Sequence, residues 1–199
     1  MPDLRSPRFD APVDLAAHLA LLPLGATNRG MFIQDLFRHV EAAAPGTDLA
    51  GLAGVPARRY LPFLEYPYAD FLRLLHAAAG VTRQRLAMGE GLRRIGHTTY
   101  DTLLGSHAGR VLFGVLGVDF EQVMRHGPKG YRLALTFAQV TSTQLGPRHF
   151  VLGYEGLPGF LETYQVGVVE GAARHCQVSC AVKVAMTSLA SAELDVTWT

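Results

Sequence analysis

Apolar residues recur every three or four positions through most of the chain and every second position near its end. That change of period predicts helices followed by a sheet. Leu15, Leu19 and Leu22 lie at helical spacing ahead of Pro23, and the LPLGATN segment ends that short helix. Met31, Phe32, Leu36 and Val40 form the apolar stripe of a second helix, capped by Thr27 or Asn28, with Gln34, Asp35, Arg38 and Glu41 largely on its wet side. A loop rich in Gly, Ala and Pro runs from Gly46 to Arg59. The segment YLPFLEYPYADFLRLLHAAAG begins extended, because Pro62 and Pro67 disfavour helical geometry in the residues before them. It then becomes a helix with Phe71, Leu72, Leu74 and Leu75 on its buried face and a stop at Gly80. Further helices are expected at 82–104, at 107–117 and at about 119–126, the last capped near Asp119 and ended by Gly127-Pro128.

Beyond residue 135 two hairpins flank one helix. The first hairpin reads from Phe137 to Tyr154 around Gly146-Pro147, the helix from Pro158 to His175, and the second pair of strands from Val178 to Trp198. Val182, Val184 and Met186 alternate with Ala181, Lys183 and Ala185, and Leu194, Val196 and Trp198 alternate with Asp195, Thr197 and Thr199, so each strand buries one face. In the helix between the hairpins, Leu161, Tyr164, Val168, Ala172 and His175 share one side, with Gly167 and Gly171 close to it. A glycine inside a helix costs about 1 kcal/mol relative to alanine, so two of them need a compensating reason. Close packing of helix on sheet is the first, room for a ligand the second. The expected class is α+β, with N-terminal helices packed on a C-terminal four-stranded antiparallel sheet built as hairpin, helix, hairpin. Residues 1–12 lack periodicity and read as a flexible arm. Residues 13–199 read as a single domain with a helical part over about 13–134 and a sheet part over about 135–199.

Composition narrows the partners. At 199 residues, 49% hydrophobic and 18% charged, the chain is an ordinary globular protein able to bury one core. A formal charge of +1 supplies no general attraction to nucleic acid or anionic membranes. Between residues 83 and 132 eight Lys and Arg face four Asp and Glu, whereas residues 150–199 carry two against five. That polarity fits self-association into a homodimer, or a protein partner, better than nucleic-acid binding. Two cysteines cannot staple a secreted fold of this size, and no apolar run has the length to enter a bilayer, so a cytoplasmic location without membrane insertion is expected.

Read in order, RRIGHTTYDTLLGSHAGRVLFGVLG, HGPKGYRLAL, VTSTQLGPRHFVLGYEG, PGFLETYQVGVVEGAARH and the closing DVTW resemble an uncharacterised paralogous family known chiefly from myxobacteria. The resemblance covers about residues 28–199, and none of its motifs is a catalytic signature. More distantly, the order of hairpin, glycine-containing helix and hairpin is similar to 4-vinyl reductase domains and to haem nitric-oxide-binding domains. The first likeness implies a pocket between helices and sheet for a small apolar or aromatic effector, within a dimeric regulator. The second implies haem ligated by histidine, with a Tyr-Ser-Arg grip on its propionates. The region matched to that grip reads Glu162-Thr163-Tyr164-Gln165 and has no arginine at the required spacing, so haem is disfavoured at this level.

Catalytic templates find nothing to hold. The histidines form no HExxH, the serines no GxSxG, and Gly89-Glu90-Gly91 lacks the Lys-Ser/Thr of a phosphate loop. The expected function is therefore non-enzymatic small-molecule sensing or regulation, with Phe113, Tyr164 and Val168 lining an apolar pocket and His97, Tyr100 and Glu170 as its polar contacts. Two alternatives stay open. One is a protein-interaction module without a small ligand. The other is a zinc-binding protein or enzyme using His175, Cys176 and Cys180, where imidazole and thiolates suit zinc but a single CxxxC is half the usual ligand set.

Overall fold

The computed structural model describes residues 3–105 and 119–199, and within them the order of elements is helical first, then sheet. Helix α1 spans Leu15–Ala20, with the Asp14 carboxylate accepting from the Ala17 N–H. Thr27 and Asn28, read as helix caps, instead belong to strand β1 (Thr27–Arg29), which pairs antiparallel with β2 (Glu65–Pro67). Helix α2 (Gly30–Ala43) dispenses with a side-chain cap because the loop before β2 supplies backbone acceptors. The Gly30 and Met31 N–H groups donate to the carbonyls of Leu64 and Pro62 at 2.9 and 3.0 Å. Gly30 is needed there, since a Cβ would meet the Leu61 carbonyl.

The Gly/Ala/Pro-rich loop contains a short helix, α3 (Leu49–Ala53), that its composition hides. Asp48 caps it by accepting from the Gly51 N–H, and Gly54 ends it at φ 62°. Helix α4 (Tyr68–Thr82) runs past Gly80, and α5 (Met88–Gly105) starts six residues later than the pattern predicts. Helix α6 corrects the sequence reading most. It spans Phe120–Ala134 and passes straight through Gly127-Pro128. Proline at 128 deprives the Met124 carbonyl of its helical donor, and the Ser142 hydroxyl of the neighbouring strand donates to that carbonyl at 2.8 Å in its place. A Ser142→Ala protein is expected to lose about 1–2 kcal/mol in urea denaturation, because the buried acceptor is then left unpaired.

The sheet has the order β3-β4-β6-β5, with β3 at Gln139–Gly146, β4 at His149–Glu155, β5 at Cys180–Ser188 and β6 at Ser191–Trp198, all antiparallel. Register sets Phe150 beside Val196, Leu152 beside Leu194 and Tyr154 beside Ala192, giving one buried face toward the helices. Between β4 and β5 the chain makes a π-helical turn (Leu161–Gln165) entered through Phe160 at φ 54°, then helix α7 (Val166–His175). Gly167 and Gly171 do compensate through close packing, but the partner is helix α5, not the sheet: Cβ atoms there would strike the carbonyls of Arg93 and His97. At the N-terminus, Arg5 exchanges two backbone hydrogen bonds with Val184 on edge strand β5, and its guanidinium pairs with Glu162 on the π-helical turn.

Candidate functional site

A cavity of about 100 Å³ lies between the helices and the buried face of the sheet. Its walls come from Asn28 and Phe32, from Tyr68 and Phe71 of α4, from Thr99 and Tyr100 of α5, and from Val123 to Leu135 along α6. Leu152 and Tyr154 of β4, Tyr164 and Gln165 of the π-helical turn, and Val168, Val169 and Ala172 of α7 complete it. The size is close to that of an engineered apolar cavity of about 150 Å³ that holds benzene, and below the roughly 300 Å³ at which pockets for drug-sized ligands begin.

The π-helical turn matters because it brings two consecutive side chains, Tyr164 and Gln165, to the same cavity. Such widened turns recur at functional sites. Burial is continuous from Leu157 to Gly167 except at Glu162, whose carboxylate is taken by Arg5 and by the Arg8 N–H at 2.9 Å. The polar heads form two hydrogen-bonded groups. Tyr131 donates to the Gln165 carbonyl oxygen at 2.5 Å and lies 3.1 Å from the Tyr154 hydroxyl, while Thr99 and Tyr164 share a hydrogen bond of 2.9 Å. Burial pushes Tyr154 up to about 12 and raises Tyr68, Tyr131 and Tyr164 as well, so all four phenols stay neutral.

Of the residues singled out from sequence, Tyr164, Val168 and Tyr100 line this cavity. His97 and Glu170 lie elsewhere, on the outer side of the α5/α7 crossing: Arg93 grips Glu170 in a two-pronged pair at 2.6 and 2.9 Å, and His97 Nε2 sits 2.9 Å from the same carboxylate. Phe113 lies outside the described residues. His175, Cys176 and Cys180 are not assembled into a metal centre, and among the described residues no group of three or more His, Cys, Asp or Glu side chains is placed to hold an ion. His175 faces Asp101 at 3.3 Å, and burial pushes the Cys180 thiol up to about 11, helped by the Glu170 charge.

The pattern missed Tyr68, Thr99, Tyr131, Tyr154 and Gln165. Tyr154 was reachable, since Phe150, Leu152 and Tyr154 alternate on one strand face. Tyr131 was hidden by the helix end wrongly placed at Gly127-Pro128, and Gln165 by its place off the apolar stripe of its helix.

The fold has known counterparts. An H-NOX protein from S. oneidensis in the Fe(II)NO state superposes with a TM-score of 0.71 at 16% identity, covering 86% of this chain and 99% of that one. An unliganded Fe(II) H-NOX protein from K. algicida gives 0.66 at 11% identity, covering 86% and 96%. An oxygen-binding H-NOX domain related to soluble guanylate cyclases gives 0.65 at 10%, covering 86% and 95%. At these identities the likeness establishes an H-NOX-like α+β fold. It also corrects the rejection of haem, because one neighbour sharing the fold holds Fe(II)NO and others concern haem itself, its redox potential and its distortion. The described lining matches that group in part. It offers apolar walls and, as donors of types that ligate haem iron elsewhere, phenols and the Met124 thioether. It offers no imidazole, thiolate or cation among the described residues. No curated protein matches the chain by sequence. A family model described as "Protein of unknown function (DUF2378)" matches residues 23–199, and the chain belongs to that family.

Proposed function

We propose that this member of the DUF2378 family is a non-enzymatic ligand-sensing domain, in which a small molecule occupies the cavity between helices and sheet and regulates a larger system in the cytoplasm. The observation that carries this reading is the cavity itself: apolar walls ringed by a buried phenol and amide network, with two consecutive residues of an irregular turn committed to it. Filling the cavity would bear directly on that turn, on α6 and on the α5/α7 pair, which gives occupancy a route to the surface. None of the described helices is long and apolar enough to cross a membrane.

Native mass spectrometry of the purified chain beside a denatured control tests the proposal, together with an absorption titration with hemin. A retained small mass absent from the denatured control is the expected result. One-to-one hemin uptake with a shifted Soret band would make haem the group through which the domain senses. An empty chain that also ignores hemin and small apolar compounds would end the ligand-sensing reading.

A second reading, a protein-interaction face, is favoured by one feature. Phe63, Leu64 and Leu133 are 61%, 53% and 42% exposed, and Arg29 ties their segments together through the carbonyls of Phe63 and Leu133. Light scattering over a concentration series separates a self-associating chain from a monomer.

A further inference from the structure

Four helical glycines of this chain, Gly30, Gly96, Gly167 and Gly171, each lie against a backbone carbonyl that a Cβ would strike. Gly127 is different. It stands inside α6 with helical backbone, and a Cβ built there would meet nothing within 4 Å beyond its chain neighbours and its own helix backbone. It also lines the cavity, at the middle of the α6 face that does so: Val123 and Met124 lie one turn before it, Gly130 and Tyr131 one turn after. Being half-buried, it sits where the cavity meets solvent. Gly80 has room beside it too, but it is exposed and forms no part of the cavity wall.

Glycine weakens a helix relative to alanine, so its place here needs a reason. One local reason is Pro128, whose ring crowds the Cβ of the residue before it in a helix. That crowding comes from a chain neighbour and does not explain why no side chain of a facing element fills the space. The wall around the space is apolar, with Val123, Met124 and Tyr131 beside it and no Lys, Arg, His, Asp or Glu among the described lining residues. We infer that Gly127 is the specificity-determining residue of the cavity: its missing side chain reserves the room in which an apolar group of the ligand seats against α6. A longer side chain would take that room. Leucine in a helix leans back onto the preceding turn, here the buried Val123 and Met124, and so enters the cavity and not the solvent. The inference rests on the pocket reading above and goes beyond it in naming the residue that limits the ligand's size and the wall on which it seats.

Pro128→Ala removes the crowding by the ring, so the comparison is made in that background on the full chain, with benzene as the probe in an NMR titration. The Pro128→Ala protein should bind benzene as the unmodified protein does. Adding Gly127→Ala should weaken benzene about tenfold, and adding Gly127→Leu should abolish binding, because each added carbon takes room from the ring. Both should keep the native circular dichroism spectrum, and the alanine should raise the melting temperature, since it restores helix propensity where nothing obstructs it. The alanine variant carries the test where leucine prevents folding. Benzene bound by the alanine variant within about twofold of its parent, or a melting temperature lowered by the alanine, would overturn the inference and leave the pocket in place. Hemin taken up by the unmodified protein and equally by a folded leucine variant would do the same. Failure of both benzene and hemin to bind the unmodified protein would remove the pocket reading and this inference together.

Discussion

A Gly167→Val protein is expected to lose about 3 kcal/mol or more of stability and to be recovered mainly unfolded, read by circular dichroism and urea denaturation. Helices α5 and α7 cross with glycines on both sides of the contact. A Cβ on Gly167 would meet the Arg93 carbonyl, one on Gly171 the His97 carbonyl, and one on Gly96 the Tyr164 carbonyl, with the Val168 nitrogen at 2.9 Å. These are backbone atoms, which cannot rotate aside as a side chain would, and a packed interior has no slack to absorb the shift. Separating the helices would in turn move Tyr164 and Val168 on one wall of the cavity and Thr99 and Tyr100 on another. Gly80→Ala is the matched control. Its Cβ would find only the Met88 methyl at 3.9 Å, so inside α4 it should stabilise by about 0.5–1 kcal/mol. A valine at 167 as well tolerated as the alanine at 80 would refute the close-crossing account.

That crossing shows where sequence reasoning carries and where it stops. The spacing of Gly167 and Gly171 announces a close approach, because a local cost must be offset somewhere. The approaching surface, α5 with Gly96, lies far away in the chain and leaves no mark within the glycine-bearing helix itself. Alternation predicted β5 and β6 well, since one wet and one buried face impose a period of two on each strand independently of its neighbours. Extended backbone before Pro67 was expected, but the pairing of β2 with β1 was invisible because three residues are too few to show a period. Pro128 was read as a helix terminator because its cost is local, whereas its remedy, the Ser142 hydroxyl, comes from a different element.

The candidate site was legible to a similar degree and for the same reason. Tyr100, Tyr164 and Val168 lie on helical faces that the 3.6-residue period exposes, and the structure brings them to one cavity. Gln165 follows Tyr164 directly and falls off the apolar stripe of Leu161, Tyr164 and Val168, so the pattern did not assign it. His97 and Glu170 were chosen as polar groups facing a ligand. They face each other and Arg93 instead, and nothing in either local segment says that opposite charges 77 residues apart, on Arg93 and Glu170, will meet.

The meeting of those charges carries the other large expected effect. A Glu170→Gln protein should be about 2 kcal/mol less stable near neutral pH, because Arg93 loses its two-pronged partner and keeps Glu90 at 3.2 Å and the Phe9 ring at 4.5 Å, while His97 loses its charged acceptor. Burial by itself would push the Glu170 carboxyl up. The hydrogen bonds and charges of His97 and Arg93 outweigh it and hold the group below the ordinary carboxylate value. The sign of the pH dependence follows. With a folded pKa below the unfolded one, the carboxylate's contribution is fully present above the unfolded value near 4.5 and is lost as pH falls through the folded value. The stability gap between the unmodified protein and the variant should therefore be widest at neutral pH and close in acid, measured by denaturation from about pH 7 down to about pH 3. A gap that stays constant over that range would mean that the side chain holds α7 against α5 by shape and neutral hydrogen bonding, and that its charge contributes nothing to the crossing.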